Sequence, residues 1–337
     1  MGKSGRLKEA EQTFSQGFLN VGDTVVNSHI EGHSNVAKNV SNSHIEGYAN
    51  NAATGSQIHI EGSRNYGTGE SSHTEGEYCS VLGKGAHAEG SWTGAFGDYS
   101  HAEGIGYISE KSNWEDDEHY TSVMKPSRQC LYNTHNQNTS VIADDTGLLN
   151  IREVTGVAYG HGSHVEGFEC ITGSINMEGE TPKVITEDAY SGFAAHAEGE
   201  RTVACGRGSH TGGYDCRTYA PYSMAFGNGC RVKPGNYCSA AFGQGSIASS
   251  GVVGQFVVGK YNNTSTNGMQ FIVGGGESDT SRKNLFTVNT SGTATVAADP
   301  VNDMDVVTKR YVDSLSSNCI TLDYNSITDP IEKELVA

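Results

Sequence analysis

The sequence repeats one pair of chemically capable residues, a histidine and a glutamate two positions apart, inside pentapeptides such as SHAEG, AHAEG and IHIEG. The eight copies place the pair at His29 and Glu31, His44 and Glu46, His59 and Glu61, His73 and Glu75, His87 and Glu89, His101 and Glu103, His164 and Glu166, and His196 and Glu198. A degraded ninth copy, SHTGG, keeps His210 and lacks the glutamate. Histidine and glutamate can bind metals, transfer protons or, beside a serine, form part of a hydrolytic triad.

The number of copies helps to decide between these possible functions of the pair. A Ser–His–Glu hydrolase needs one site, not eight, and on a strand the serine would point away from the face that carries the histidine. A metal ladder is a second alternative, because neighbouring copies lie close enough to share an ion. A pH switch is a third, because histidine titrates near neutrality. We favour a polar structural ladder, with no catalytic residue, no metal and no cofactor assigned.

The spacing of the copies is nearly constant. The first six histidines follow one another at steps of 15, 15, 14, 14 and 14 residues. A second marker, a glycine four residues before a motif histidine, recurs at Gly55, Gly69, Gly83, Gly97, Gly160, Gly192 and Gly206. A fixed short period predicts a repeat architecture, and the recurring glycine predicts a turn with positive φ.

A period of 14 residues allows two short strands and two turns per coil, which predicts a mostly β fold, a parallel β-roll or solenoid. About twelve coils stacked at the inter-strand spacing of ~4.8 Å make a rod about 55–60 Å long. Within each copy, histidine and glutamate share one strand face and the residue between them faces the other way. Later coils replace the pair by Met224 and Phe226 or by Ala240 and Phe242. This apolar replacement predicts that the His/Glu face is interior, either inside the roll or between chains.

Composition sets further bounds. The 337 residues are 35% hydrophobic, with 44 glycines and 6 prolines, which suits coils that bury their faces on one another. The net charge of −17 argues against a nucleic-acid partner. We find no apolar run long enough to predict membrane insertion, and no secretory signal at the start of the chain. The eight cysteines lack zinc-type spacing and are expected to be reduced thiols.

The pattern divides the chain into seven segments. These are an N-terminal lead segment at 1–20 with a helix around 6–14, a first β-roll block at 21–104, an insertion at 105–159, a second β-roll block at 160–259, a β-rich connector at 260–299, a trimeric helix segment at 300–318 and a C-terminal tail at 319–337. In the helix segment, Asp303 or Asp305 is suited to cap the start. An apolar seam at steps of 3, 4 and 4 then predicts a helical bundle between chains, through Met304, Val307, Tyr311 and Leu315.

The insertion carries the candidate receptor-binding residues, because loops held on a rigid scaffold commonly carry function. Its aromatic and neutral hydrogen-bonding side chains are typical of surfaces that bind sugars or proteins: Trp114, Tyr120, Tyr132, Asn133, His135 and Asn136. A glycan-cleaving enzyme needs a pair of carboxylates, and the insertion offers an acidic run from which such a pair could come: Asp116, Asp117 and Glu118. A solvated acidic loop is the simpler interpretation of that run.

These motifs resemble a known family. The SHxEG coils are similar to the left-handed parallel β-roll heads of YadA-like trimeric adhesins, whose usual motif is apolar, as in SMAFG at Ser223 and SAAFG at Ser239. The His/Glu variant resembles head repeats of phage tail and fibre proteins. The segment PVNDMDVVTKRYVDSL at Pro300 is similar to one that leads into a trimeric helix in phage tail fibres. Together these motifs cover about 200 residues.

The resemblance implies a homotrimer that serves as a stalk or an adhesive head. The lack of a signal peptide and of a C-terminal membrane barrel favours a phage particle over a cell-surface adhesin. We therefore expect a trimeric phage tail fibre in the virion tail, assembled in the host cytoplasm, which attaches to the host by multivalent, non-enzymatic recognition. The expected partners are other tail or baseplate proteins and a host surface glycan or protein. The alternatives are a structural tail spacer, a cell-surface adhesin head and a glycan depolymerase tailspike.

Overall fold

The chain winds into a parallel β-solenoid in which each turn adds one strand to each of two long sheets. The computed structural model describes residues 6–106, 129–131, 151–153, 156–173, 175–178, 181–184, 192–265 and 268–316. The first sheet has 13 strands, close to the twelve coils that the repeat predicts, and the second has 16. The predicted mostly β solenoid is confirmed.

The first sheet is parallel throughout. Its strands are β1 (Arg6–Glu11), β3 (Val21–Val26), β5 (Val36–Ser41), β7 (Asn51–Ser56), β9 (Tyr66–Gly67), β11 (Ser80–Val81), β13 (Gly94–Ala95), β17 (Val157–Ala158), β19 (Ile171–Thr172), β23 (Val203–Ala204), β25 (Arg217–Thr218), β27 (Arg231–Val232) and β29 (Ile247–Ala248).

The second sheet carries the repeated motif and ends in an antiparallel meander made by its last three strands. Its strands are β2 (Phe14–Phe18), β4 (His29–His33), β6 (His44–Tyr48), β8 (His59–Ile60), β10 (His73–Thr74), β12 (His87–Ala88), β14 (His101–Ala102), β18 (His164–Val165), β22 (His196–Ala197), β24 (His210–Tyr214), β26 (Met224–Asn228), β28 (Ala240–Gln244), β30 (Phe256–Lys260), β31 (Met269–Gly275), β32 (Asn284–Asn289) and β33 (Ala294–Val296).

The core of the rod is a column built from the middle residue of each motif. Its members pair coil on coil and are at most 2% exposed: Ile30, Ile45, Ile60, Thr74, Ala88, Ala102, Val165, Ala197, Thr211, Ala225, Ala241, Val257 and Ile272. The opposite sheet adjusts to their size. A side chain at Gly67 would lie 3.0 Å from the Ile60 Cδ1 atom, so the larger residue faces a glycine. Such close packing lets a chain of low hydrophobic content fill its interior.

Buried asparagines join the first coils at one corner. Asn50, which is fully buried, donates to the carbonyls of Glu46 and Gly62 and accepts a bond from the Asn65 amide at 2.9 Å. Asn35 makes the corresponding bonds one coil earlier. Because each side chain satisfies backbone groups of two coils, the column fixes the register of the stack.

Glycine recurs at two positions of each coil, for different reasons. The sequence predicted positive φ for the glycine that precedes the motif histidine, but it is the glycine that ends the motif that has it. The glycines four residues before the motif histidine, apart from Gly192, do not have left-handed φ. They are required by close approach, since a Cβ on Gly83 would lie 2.1 Å from the Gly97 carbonyl oxygen. The glycine that ends the motif has both constraints: Gly90 has φ +102° and a Cβ there would lie 2.1 Å from the Gly104 oxygen.

The rod continues in register across the insertion. β13 pairs directly with β17, and His101 pairs with His164. The solenoid runs to Gly106 and resumes at Gly156, where a Cβ would lie 2.8 Å from the Gly106 Cα atom. The insertion is therefore shorter than the predicted interval 105–159, because residues 157–159 belong to the core of the solenoid. Strands β15 (Gln129–Leu131) and β16 (Ile151–Glu153) pair antiparallel within it.

A second excursion leaves the rod after Gly173 and returns at Gly192, where β19 pairs with β23. It contains the antiparallel pair β20 (Ile175–Glu178) and β21 (Thr181–Val184). The sequence indicated this smaller insertion as a break near 180–190.

The two ends differ from the predictions. The helix expected around residues 6–14 is wrong, since this segment forms β1 and β2 and begins the solenoid. The C-terminal helix α1 spans Lys309–Ser316 and begins later than predicted. Thr308 caps it by accepting a bond from the Tyr311 amide at 3.2 Å, whereas Asp305 accepts bonds from the Val301 and Asn302 amides in the preceding turn.

The predicted apolar seam is therefore only partly helical. Tyr311 and Leu315 lie in α1, whereas Met304, 94% exposed, and Val307 precede it.

Among the described residues, no helix has the length and apolarity required to cross a bilayer. The side chains of Cys79, Cys170, Cys205, Cys216 and Cys230 are buried, and that of Cys238 is exposed.

Candidate functional site

The motif histidines form one continuous stack of imidazole rings along the second sheet. Nine rings take part, from His29 to His210, with interplanar angles of at most 20°. Adjacent centroids lie 5.0 and 5.1 Å apart across the two 15-residue coils and 4.5–4.9 Å apart from His59 onward. The stack crosses both excursions without a gap, so the eight predicted pairs belong to one structure.

The motif glutamates form a parallel column beside the rings. The His29 Nε2 atom lies 3.3 Å from the Glu31 carboxylate of the same coil, and the corresponding distance for His87 and Glu89 is 3.7 Å. Further along, contacts also form between coils, as between the His164 Nε2 atom and Glu103 at 3.7 Å. The carboxylates line an open groove floored by the motif glycines.

The ladder faces outward from the coil, so the alternative that it lies inside the roll is wrong. The side chains of His87 and Glu89 are 33% and 38% exposed, while Ala88 between them is fully buried. Strand alternation explains this arrangement, because only one strand face can line a coil this narrow. The other interior position that the sequence allowed, between chains, stays a prediction.

The motif serine points into the corner of the coil. Ser100 is 2% exposed and donates to the Gly97 carbonyl at 2.6 Å, and Ser163 makes the same bond to Gly160. Earlier in the rod, the Ser28 hydroxyl accepts from the amide of Ser43 at 3.1 Å. These serines satisfy backbone groups at the turns, and this accounts for their repetition without a nucleophilic role.

Each ladder histidine keeps one buried nitrogen without a hydrogen bond. The atom is Nε2 in all nine rings: His29, His44, His59, His73, His87, His101, His164, His196 and His210. The nearby carboxylates are within 4.0 Å in several coils but do not meet hydrogen-bond geometry.

Burial and neighbouring charges shift the titration of several ladder groups. Burial lowers the pKa of His87, His101 and His196, and the adjacent histidines lower it further. Burial also raises the pKa of Glu103, and the neighbouring carboxyl groups of Glu89 and Glu166 raise it further. The fold therefore favours the neutral form of His87, His101 and His196.

Apolar rings continue the ladder at both ends. Phe14 lies edge-on to His29 at 4.9 Å, and Phe226 lies edge-on to His210 at 4.7 Å. The pairing of His210 with Met224, and of Phe226 with Phe242, confirms that these residues occupy the histidine and glutamate positions of later coils. This apolar end of the face is exposed as well: Met224 is 43% and Phe256 41% exposed.

A second column, of large side chains, lies two residues after the motif glycines and was not predicted from the sequence: Arg64, Tyr78 and Trp92. Tyr78 stacks on Trp92 with centroids 4.1 Å apart, and the Arg64 guanidinium lies 5.2 Å from the Tyr78 ring and 5.3 Å from that of Tyr48. Alignment of the copies on their glycine would have shown that three large side chains share this position.

The predicted receptor-binding residues lie outside the described part of the chain. This applies to Trp114, Tyr120, Tyr132, Asn133, His135 and Asn136, and to the acidic run Asp116, Asp117 and Glu118. Their role stays a prediction.

Comparison with protein-family models and with curated proteins found no match to this chain.

Proposed function

We propose that this chain is the subunit of a homotrimeric phage tail fibre that attaches the particle to the host surface without covalent chemistry. The observation that carries the proposal is the outward ladder. A face of nine rings and eight carboxylates, bounded by exposed phenylalanines, runs the length of a regular rod. A regular face of this kind suits contact with a copy of itself, because identical rods present identical steps.

The C-terminal end of this face supports association of the rod with other copies of the chain. Phe226, Phe242, Phe256 and Phe271 form a column with centroids 5.7–5.9 Å apart, and Phe256 is substantially exposed. Contiguous, partly exposed apolar surface of this kind is typical of protein contacts. A trimer, which the family resemblance implies, would bury this column together with the ladder.

The excursions supply the attachment surface in this proposal. Both leave a rod whose register they do not disturb, which is the arrangement of binding loops on a rigid scaffold. Three copies in one fibre would raise avidity without adding a new contact.

Adsorption of the purified, fluorescently labelled chain to cells of a permissive bacterial strain tests the function. Because Gly106 and Gly156 are adjacent, residues 107–155 can be replaced by a short Gly/Ser linker without removing the core strand at 157–158. We expect this variant to keep its oligomeric state and to lose adsorption. The matched control replaces residues 174–191 in the same way and should still adsorb.

Trp114→Ala is the finer probe, expected to weaken adsorption while leaving the melting temperature unchanged. If the intact fibre does not adsorb to any permissive strain, the attachment function is wrong. If both linker variants adsorb like the intact chain, recognition does not reside in the larger excursion.

A further inference from the structure

The ladder contains groups of three side chains whose potential metal-ligand atoms lie close together. Four sets have their atoms within 4.8 Å of one another: His73, Glu75 and His87; His87, Glu89 and His101; Glu103, His164 and Glu166; and His196, Glu198 and His210. Each set joins two adjacent coils of one chain. A site of this kind is complete without a partner subunit.

We propose that this ladder binds divalent transition-metal cations of the zinc type, each held by imidazole nitrogen and carboxylate oxygen from neighbouring coils.

The unpartnered nitrogens point to a ligand. The Nε2 atoms of His73, His87, His101, His164, His196 and His210 are buried, and none has a hydrogen-bond partner. Buried polar atoms in folded proteins are nearly always satisfied. A cation between two such nitrogens and a carboxylate would satisfy all three groups at once.

The donor set selects the metal. Imidazole with carboxylate suits zinc, cobalt and nickel, whereas calcium and magnesium prefer sites made of oxygen alone. The net charge of −17 favours cation binding over the whole molecule.

The geometry also limits the number of ions. One Nε2 atom offers one lone pair, so the two sets that share His87 exclude each other. The sets at Glu103, His164 and Glu166 and at His196, Glu198 and His210 share no residue with them or with each other. The chain should therefore hold about three ions, fewer than one per coil.

The first coils provide an internal control. Their rings are 5.0 and 5.1 Å apart, and among the described residues the three-ligand sets begin only at His73. His29 and His44 belong to the same stack and carry the same motif but lie outside these sets. The two parts of the ladder carry the same residue types.

Zinc titration of the full chain, without a histidine tag and after removal of metal by a chelator, tests the proposal. Isothermal titration should show saturable uptake of about three Zn²⁺ per chain with a Kd on the order of micromolar. His196→Gln combined with His210→Gln should lower this to about two. The matched variant, His29→Gln combined with His44→Gln, should still take up about three.

Cobalt gives a second readout, because a Co²⁺ ion in a tetrahedral nitrogen and oxygen site absorbs visible light much more strongly than hydrated Co²⁺ does. Glu198→Gln keeps the ring stack and should weaken one site at least tenfold, which covers the case in which the double variant does not fold. Absence of saturable uptake, or equal loss in the two double variants, would overturn the proposal.

Sedimentation of the same samples separates this proposal from the proposed function. A trimer that takes up no zinc would contradict the metal sites alone. A monomer that takes up zinc would contradict the fibre alone.

Discussion

At the scale of single residues, the glycine that ends each motif is the most constrained position. Gly90 combines φ +102° with a neighbouring carbonyl oxygen 2.1 Å from the position of a Cβ. Gly162 has φ +62° and nothing within 4 Å of that position. Asn42 and Gln57 take similar φ values of 52° and 59° at the equivalent corner of earlier coils. Left-handed φ alone is therefore tolerated in this fold, whereas the close approach is not.

Gly90→Ala should accordingly destabilise the chain by more than about 3 kcal/mol, because it adds a backbone clash to a strained φ. Gly162→Ala should cost about 1 kcal/mol, the usual penalty for left-handed φ. Chemical denaturation of both variants measures the difference. Equal costs would show that close approach does not determine the glycine.

The ladder histidines predict how stability depends on pH. The pKa values of His87, His101 and His196 are lowered in the fold, so folding favours their neutral form. Their contribution is present above the ordinary pKa of 6.5 and is lost as the pH falls through the folded values. The raised pKa of Glu103 acts in the opposite direction, near and above its ordinary value of 4.5.

We therefore expect the melting temperature of the metal-free protein to fall between about pH 7.5 and pH 5.5. Circular dichroism melts at several pH values measure this slope. Replacement of the three histidines by glutamine should flatten it. A melting temperature that rises over the same interval would contradict the assigned direction.

At the scale of elements, the buried asparagine column joins coils through the backbone. Asn50→Ala removes bonds to two carbonyls and one amide, and we expect it to cost about 2–4 kcal/mol. Asn228 is exposed at the end of β26, so Asn228→Ala should change stability by less than about 0.5 kcal/mol. Urea unfolding of the two variants compares them, and similar losses would rule out the proposed role of the column.

The ladder offers a test of the proposed contact between chains. Replacing His87 and Glu89 together by Val and Ile makes the coil apolar, as the coil of Met224 and Phe226 is, and should be tolerated. Glu89→Ala alone should cost more, about 1–2 kcal/mol in a ladder buried between chains, because it removes the carboxylate that lies 3.7 Å from the His87 Nε2 atom. Thermal shifts of the oligomer rank the two variants, and the reverse order would contradict a ladder buried between chains.

The sequence predicted the elements wherever the period was regular. Steps of 14 and 15 residues locate the motif strands. A register shift of one residue would turn every side chain to the other face of its strand, so the period fixes which residues pair. The sequence did not predict β1 and β2, since the first coil has Phe14 in place of a histidine. It also did not show which motif face lines the coil, because Met224 and Phe226 are apolar in a position that faces outward.

The C-terminal helix shows another limit of sequence patterns. Apolar spacing from Met304 to Leu315 fits one helix, yet Asp305 satisfies the amides of Val301 and Asn302 and closes a turn. Local side-chain bonds of this kind compete with helix formation. The helix therefore starts at Lys309, after Thr308.

At the scale of the whole molecule, the rod is independent of its excursions. The histidine stack passes both with centroid distances of 4.9 and 4.8 Å, values that match the uninterrupted coils. A solenoid of this type is stabilised by contacts between neighbouring coils, so segments inserted at its corners can vary without disturbing the fold. This separation of scaffold and excursions is what the proposed fibre requires.

The mass of the purified chain in solution tests the central claim most directly. The outward ladder and the exposed phenylalanine column predict a stable trimer of about 107 kDa, three times the 35.7 kDa chain. Analytical ultracentrifugation or light scattering over a range of concentrations gives this value without a shape assumption. A trimer mass that persists on dilution is the predicted result, and a stable monomer or dimer would contradict the account.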